Sequence, residues 1–342
     1  MTDPGKGPMV QTLRAYFTDP EAIRSGGVKM VPIQTPRGEF RVWTKRFGKN
    51  PRIRVLLLHG GPGATHEYFE SFEGFLPAEG IEFIYYDQLG SGNSDRPDDP
   101  DLWTIERFVD EVEQVRLALG LDRDAFFLLG NSWGAMLAVE YALLHGEHLK
   151  GLVISNMMMS MPAYVRYVED VLARQMEPGV DEEIKDLEAR GLHESPRYME
   201  LLGPNFYAKH ICRLPEWPEP VVRCFARLNK DVYTLMQGPS EFGSSGRISR
   251  WDRTADLARI ATPTLVIGAT HDTMDPAHMR WVAGQVANGS FLLCPAGSHL
   301  SFWDDQEVYF EGLIRWLRAI DRPSPGASAR RARAPRSSAP KG

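Results

Sequence analysis

Short apolar runs separated by amphipathic stretches dominate the first half of the chain. Residues 54–58, 83–86, 125–129 and 151–155 are almost uninterrupted by polar side chains, the pattern of strands buried on both faces. Helical periodicity lies between them, near 68–76, over 105–119 and over 133–144. Strands spaced by helices in this way predict a mostly parallel sheet covered on both faces, an α/β architecture. Ahead of them, 28–33 and 39–43 form a predicted hairpin turned by Pro36-Arg37-Gly38.

The alternation stops at Asn156. From about 157 to 247 the chain is helical in pattern and rich in methionine and charge. Strand runs resume at 263–268 and 290–294. This divides the chain into a core (28–156 and 248–321) and a helical insertion (157–247), expected to fold as a cap. A lead (1–27) precedes the core and a Pro-, Ser-, Ala- and Arg-rich tail (322–342) follows it. The tail carries Arg330, Arg331, Arg333 and Arg336 with no acid, a composition expected to be disordered. Met157-Met158-Met159, at the start of the insertion, suits either pocket lining or packing. No internal repeat is evident.

The chemistry concentrates at the ends of the apolar runs. Gly130-Asn131-Ser132-Trp133-Gly134 follows the 125–129 strand and opens the 133–144 helix. G-x-S-x-G is weak alone, but strand, turn and helix together are the context of a nucleophile elbow. A serine on so tight a turn leaves no room for β-carbons two residues to either side, and its helix N-terminus faces a developing oxyanion. A serine hydroxyl is a poor nucleophile at neutral pH, so a base and an orienting acid must follow in the chain.

Both are found after late strands. The 263–268 strand runs into Ala269-Thr270-His271-Asp272, and the 290–294 strand into Pro295-Ala296-Gly297-Ser298-His299. Ser132, Asp272, His299 is the order such an elbow requires. Asp275 competes with Asp272, but its place before Pro276 suits a helix cap. His271 reads as a surface histidine. The second oxyanion donor comes from a loop after an early strand. Here His59-Gly60-Gly61-Pro62-Gly63 follows 54–58, which assigns the donors to the amides of Gly61 and Trp133 and gives His59 a bracing role. The glycines and short polar side chains of 87–94 suit a tight turn, and none of them is assigned to catalysis.

His59-Gly60-Gly61-Pro62-Gly63, the run Asp87-Gln88-Leu89-Gly90-Ser91-Gly92-Asn93-Ser94 and the Ser132 elbow together resemble the proline iminopeptidase family of α/β-hydrolases. The resemblance extends through Gly238-Pro239-Ser240-Glu241-Phe242 to the Asp272 and His299 turns. It implies an α/β-hydrolase fold with a helical cap. It also implies a metal-free, cofactor-free serine aminopeptidase that releases an N-terminal residue, typically proline, from small peptides. By that resemblance Glu241 holds the substrate's free amine. Some members carry a second glutamate directly after the catalytic aspartate, where this chain has Thr273. The alternatives are an amino-acid amidase or general carboxylesterase of the same fold, or a ligand-binding relative that no longer turns over.

Composition narrows the setting. A charged fraction of 25% beside 43% hydrophobic residues is ordinary for a globular protein. A net charge of −6 gives no reason to expect nucleic acid or an anionic membrane as partner. Cys212, Cys224 and Cys294 are odd in number and lack metal-ligand spacing, which fits a reducing compartment. No apolar stretch is long enough to span a membrane, and residues 1–6 show no signal-peptide pattern, so a cytoplasmic location is expected.

Overall fold

In the computed structural model, residues 27–321 are described. The predicted lead, but for Gly27, and the whole basic tail lie outside them. Eight strands form one sheet: β1 (Val28–Thr35), β2 (Gly38–Phe47), β3 (Arg54–Leu58), β4 (Glu82–Asp87), β5 (Phe126–Asn131), β6 (Gly151–Ser155), β7 (Thr264–Ala269) and β8 (Gly289–Cys294). Their order is β1-β2-β4-β3-β5-β6-β7-β8. The β1–β2 hairpin and the β2–β4 pair are antiparallel, and every later pair is parallel.

The apolar runs are central strands for the reason their composition suggests. Every residue of β4, β5, β6 and β7 is buried. Alternate side chains feed two cores. Leu56, Leu58, Leu128 and Ile154 pack with the helices Ile105–Ala118 and Trp133–His145. Val55, Leu57, Phe127 and Val153 meet Phe72, Phe310 and Leu313 on the other face. Each large side chain so buried contributes about 1.5–3 kcal/mol. The hairpin is longer than its apolar positions indicate, because ladder bonds carry pairing out to Thr35↔Gly38 and Phe47↔Phe83. The segment predicted near 68–76 begins earlier, as a tight three-residue-per-turn helix His66–Gly74. Its first amide donates to the Asp87 carboxylate at 2.8 Å.

Between β6 and β7 the chain forms helices Met161–Tyr167, Val180–Ala189, Pro196–Leu202, Glu219–Ala226 and Lys230–Met236. Several starts are legible in the sequence. Ser160 and Ser195 cap the amides of Ala163 and Tyr198 ahead of a proline in the first turn, and Asn229 caps Val232. The returning segment is tied to the core where Glu140, on the Trp133–His145 helix, accepts from Trp251 Nε1 and Arg253 Nε at 2.6 Å each. No helix among the described residues is long and apolar enough to cross a membrane.

Candidate active site

Ser132 sits between β5 and the Trp133–His145 helix with φ 56° and ψ −129°, a conformation costly for a side chain with a β-carbon. The flanking glycines make it reachable. A β-carbon on Gly130 would run into the Gly134 carbonyl, and one on Gly134 into the Leu58 carbonyl of β3. The elbow is therefore pressed against the neighbouring strand end, and Gly134→Ala would break it.

Asp272 and His299 leave the ends of the adjacent parallel strands β7 and β8. His299 Nδ1 lies 2.8 Å from Asp272 Oδ1. Both are buried, as is Ser132, which keeps 7% of its surface. Burial by itself lowers the pKa of the His299 ring. The Asp272 carboxylate, with Glu241 farther off, outweighs it and holds the imidazole above its ordinary value. Ser132 and His299 face one cavity, though no hydrogen bond joins their side chains among the described residues. Such bonds often tighten only when substrate is bound. Asp275 takes the cap position expected of it and accepts from the Ala277 amide. His271 stays out of the cluster and offers its carbonyl to the His210 ring.

Three side chains that sequence reasoning left out complete the arrangement. Asn156, the residue after β6, donates through Nδ2 to Asp272 Oδ2 at 2.7 Å and to the Ser298 carbonyl at 3.2 Å. Its φ is 53°. The Thr273 hydroxyl lies 3.3 Å from Asp272 Oδ1 and 3.2 Å from His299 Nδ1, so it joins the acid–base pair. Thr273 is fully buried and does not line the cavity.

Gln88 is the third. Its amide donates to His59 Nε2 at 3.0 Å and its side-chain Nε2 to the His59 carbonyl at 2.9 Å. Its Oε1 accepts from the Trp133 indole at 2.9 Å. One side chain thus links both halves of the predicted oxyanion hole. The rest of this turn is structural, as expected. The Asp87 carboxylate gathers the His66 ring and the Asn93 amide, and the Asp87 carbonyl accepts from the Ser94 hydroxyl. His59 braces the loop, and burial drops its pKa to about 4, so it stays neutral. Of the two adjacent loop amides, that of Gly60 is taken by the Tyr68 hydroxyl at 2.6 Å. Gly61 and Trp133 both line the small space beside Ser132.

Glu241 comes from the inserted segment and reaches the same place. Tyr164 donates to its carbonyl, and Tyr233 donates to its Oε1 at 2.8 Å. Burial raises its pKa, against the opposing pull of His299 and the Tyr233 hydroxyl. It faces a cavity of about 320 Å³ together with Ser132 and His299. Of the three methionines that open the insertion, Met157 lines the small space beside Ser132. Met158 and Met159 are buried in the core.

The hydrogen-bonded Asp272–His299 pair, the strained Ser132 and the buried Glu241 thus meet at one cavity, and comparisons with known proteins place the chain in a family. The alpha/beta hydrolase fold family matches residues 53–306. The proline iminopeptidase of Flavobacterium johnsoniae is 57% identical over 292 residues, covering 85% of this chain and 98% of that protein. The proline iminopeptidase of Elizabethkingia meningoseptica is 56% identical over 297 residues, covering 86% and 99%. The crystal structure of proline iminopeptidase from Mycobacterium smegmatis superimposes with a TM-score of 0.77 at 28% identity, covering 86% and 98%. Identity this high over nearly the full length of both curated relatives decides the assignment: the chain belongs to the proline iminopeptidase family of α/β-hydrolases.

Proposed function

We propose that this protein is a serine aminopeptidase that releases an N-terminal proline, or a residue of similar size, from short peptides and aminoacyl amides. The observation that carries the reading is Glu241, a buried carboxylate facing the same cavity as Ser132 and His299. A carboxylate held there, at a cost, is best explained by a cationic partner, and a substrate ammonium supplies one. Away from bulk water their attraction is much less screened than at a surface. The curated relatives' activity supports the same conclusion.

In this reading Ser132 Oγ attacks the scissile carbonyl carbon while His299 Nε2 takes its proton. Asp272 holds the Nδ1–H tautomer and stabilises the imidazolium. The oxyanion is met by the amides of Gly61 and Trp133. His299 returns the proton to the leaving nitrogen, the C–N bond breaks, and an ester to Ser132 remains. Water, deprotonated by His299, then releases the amino acid and restores the serine. These steps use only the chain's own groups and require no cofactor. The 157–247 segment acts as the cap that shields them from solvent, and the partners are small peptide or aminoacyl substrates.

The test is a panel of aminoacyl amides, free and N-acylated. The free prolyl amide is expected to be cleaved with the highest kcat/KM and its N-acetyl form barely at all. Preference for N-acylated amides or simple esters would favour a general amidase or esterase instead. Absence of turnover on every class would point to a ligand-binding relative.

A further inference from the structure

The turns that carry Asp272 and His299 meet a third segment, which comes from the insertion. After the helix Pro196–Leu202 the chain continues as a wide helical coil, Gly203–Ile211, and passes into extended backbone at Cys212. The last carbonyls of a helix have no partner within it. Here the turn after β8 supplies the missing donors. The His299 amide donates to the His210 carbonyl and the Leu300 amide to the Ile211 carbonyl, each at 2.9 Å. The Ser298 hydroxyl donates to the Ile211 carbonyl as well, also at 2.9 Å.

The His210 side chain reaches the other turn. Its Nδ1 lies 3.0 Å from the carbonyl of His271, in the peptide unit that leads into Asp272. A carbonyl can only accept, so Nδ1 carries the proton. Nε2 is buried and has no hydrogen-bond partner among the described residues. A second proton there would find no acceptor, which keeps the ring neutral. Burial acts in the same direction and lowers its pKa. The His271 carbonyl and Asp272 oppose that, while Lys209 and the His271 ring add to it. His210 is only 5% exposed, and its ring lies 5.4 Å from that of Phe206.

One residue thus holds both turns, the base through its carbonyl and the acid through its ring. The turns also touch directly, where the His271 amide donates to the Gly297 carbonyl at 3.0 Å. That contact lies two residues before His299, whereas the His210 carbonyl engages His299 itself. The joint is also a wall of the site, since Ile211 and Leu300 both line the cavity.

We propose that His210 is a positioning residue for the acid–base pair, clamping the peptide that leads into Asp272 to the amide of His299. The insertion is thereby part of the catalytic framework and not only its cover. This inference rests on the roles of Asp272 and His299 proposed above.

The test measures kcat, KM, the pH profile of kcat/KM on a prolyl amide and the melting temperature, for the wild type, His210→Asn and His210→Gln. An asparagine amide reaches the place of Nδ1 and a glutamine amide that of Nε2, and both variants bury the same polar group. His210→Gln is expected to lose kcat by about 10-fold or more with KM little changed, as a misplaced catalytic group does. Its acid limb is expected at lower pH than that of the wild type. The groups facing His299 are Asp272, Glu241 and Asp304, and a looser Asp272 contact removes the strongest upward pull on its pKa. His210→Asn is expected to restore both kcat and the acid limb. His210→Phe, which keeps the bulk of the ring and removes the donor, is expected to behave as His210→Gln and replaces it if that variant does not fold. Wild-type kcat and an unmoved acid limb in the Gln and Phe variants overturn the proposal. So do losses of kcat that are equal in the Asn and Gln variants and follow only their melting temperatures. If Asp272→Ala and His299→Ala keep wild-type turnover, the acid–base reading itself fails instead.

Discussion

Asn156 Nδ2 donates to Asp272 Oδ2 at 2.7 Å, while the opposite oxygen of the same carboxylate lies 2.8 Å from His299 Nδ1. The acid is thereby held at both oxygens. Asn156 reaches it from a backbone φ of 53°, a conformation asparagine adopts more readily than most residues. In the proposed mechanism Asn156 would be a positioning residue, acting on the reaction through Asp272. Asn156→Gly tolerates that backbone and removes the whole side chain, both the Nδ2 donor and the Oδ1 that accepts from the Ser155 and Ser301 hydroxyls. It is expected to lower kcat about 10- to 100-fold with little change in KM, as small misplacements of a catalytic group do. Asn156→Ala adds backbone strain, so its melting temperature should fall below that of Asn156→Gly. Steady-state kinetics with thermal melts on both variants check this. Unchanged kcat in Asn156→Gly would remove Asn156 from the account.

The His299 shift gives the pH dependence a sign. The base must be neutral to accept the serine proton, and the Asp272 carboxylate favours the protonated ring. Activity should therefore fall as pH drops, with a midpoint above the ordinary imidazole value of ~6.5. That contribution to stability is present below the unfolded-state pKa and is lost as pH rises through the higher folded-state value. A kcat/KM profile of the free enzyme with its acid limb below ~6.5 would contradict the arrangement.

Ser132→Ala is expected to reduce kcat by several orders of magnitude without changing the fold, because nucleophile and base act as one unit. A serine-directed phosphonate should label Ser132 alone, as mass spectrometry of the intact and digested protein would show.

Glu241 offers a trade of stability against specificity. Its folded-state pKa is raised by burial, so the charged form destabilises the native state at neutral pH. Glu241→Gln should raise the melting temperature near pH 8. The gain should disappear as pH falls to the ordinary carboxylate value, where both side chains are neutral. The same variant should lose kcat/KM strongly on free-amine substrates, by the ~2–5 kcal/mol typical of a broken charge pair, and much less on simple esters. Equal losses on both classes would reduce Glu241 to a brace for its turn.

Gln88 is expected to act on the transition state through the loop and the indole it joins. Removing one oxyanion donor outright costs about 10²–10³ in kcat, so loosening both with Gln88→Ala should cost a fraction of that. The discriminating measurement is affinity for a prolyl boronate, which mimics the tetrahedral adduct, against affinity for free proline. Only the first should weaken.

Much of this protein follows from local rules that a sequence carries openly. The parallel sheet is legible because strands buried on both faces must be apolar along their length, as β4 to β7 are between polar residues confined to their ends, such as Glu82, Asp87, Asn131 and Ser155. The Ser132 elbow is legible because two glycines and a strand–helix junction are the only way to reach its backbone, and Asp275 because a cap before proline is a short-range contact. Asn156, Gln88 and the turn of Thr273 toward His299 were not legible. Each matters through a partner far along the chain, 116 residues away for Asn156 and Asp272 and 45 for Gln88 and Trp133. Threonine in place of a glutamate, seen in sequence, marks only a missing charge. Packed after β7, its hydroxyl joins the acid–base pair instead. The cavity and the small space beside Ser132 are likewise a tertiary fact, since their walls draw on β-strand ends, the Trp133–His145 helix and the inserted helices together. Backbone geometry and burial are written in neighbouring residues. Which polar groups meet is decided only when the sheet brings the ends of distant strands to one edge.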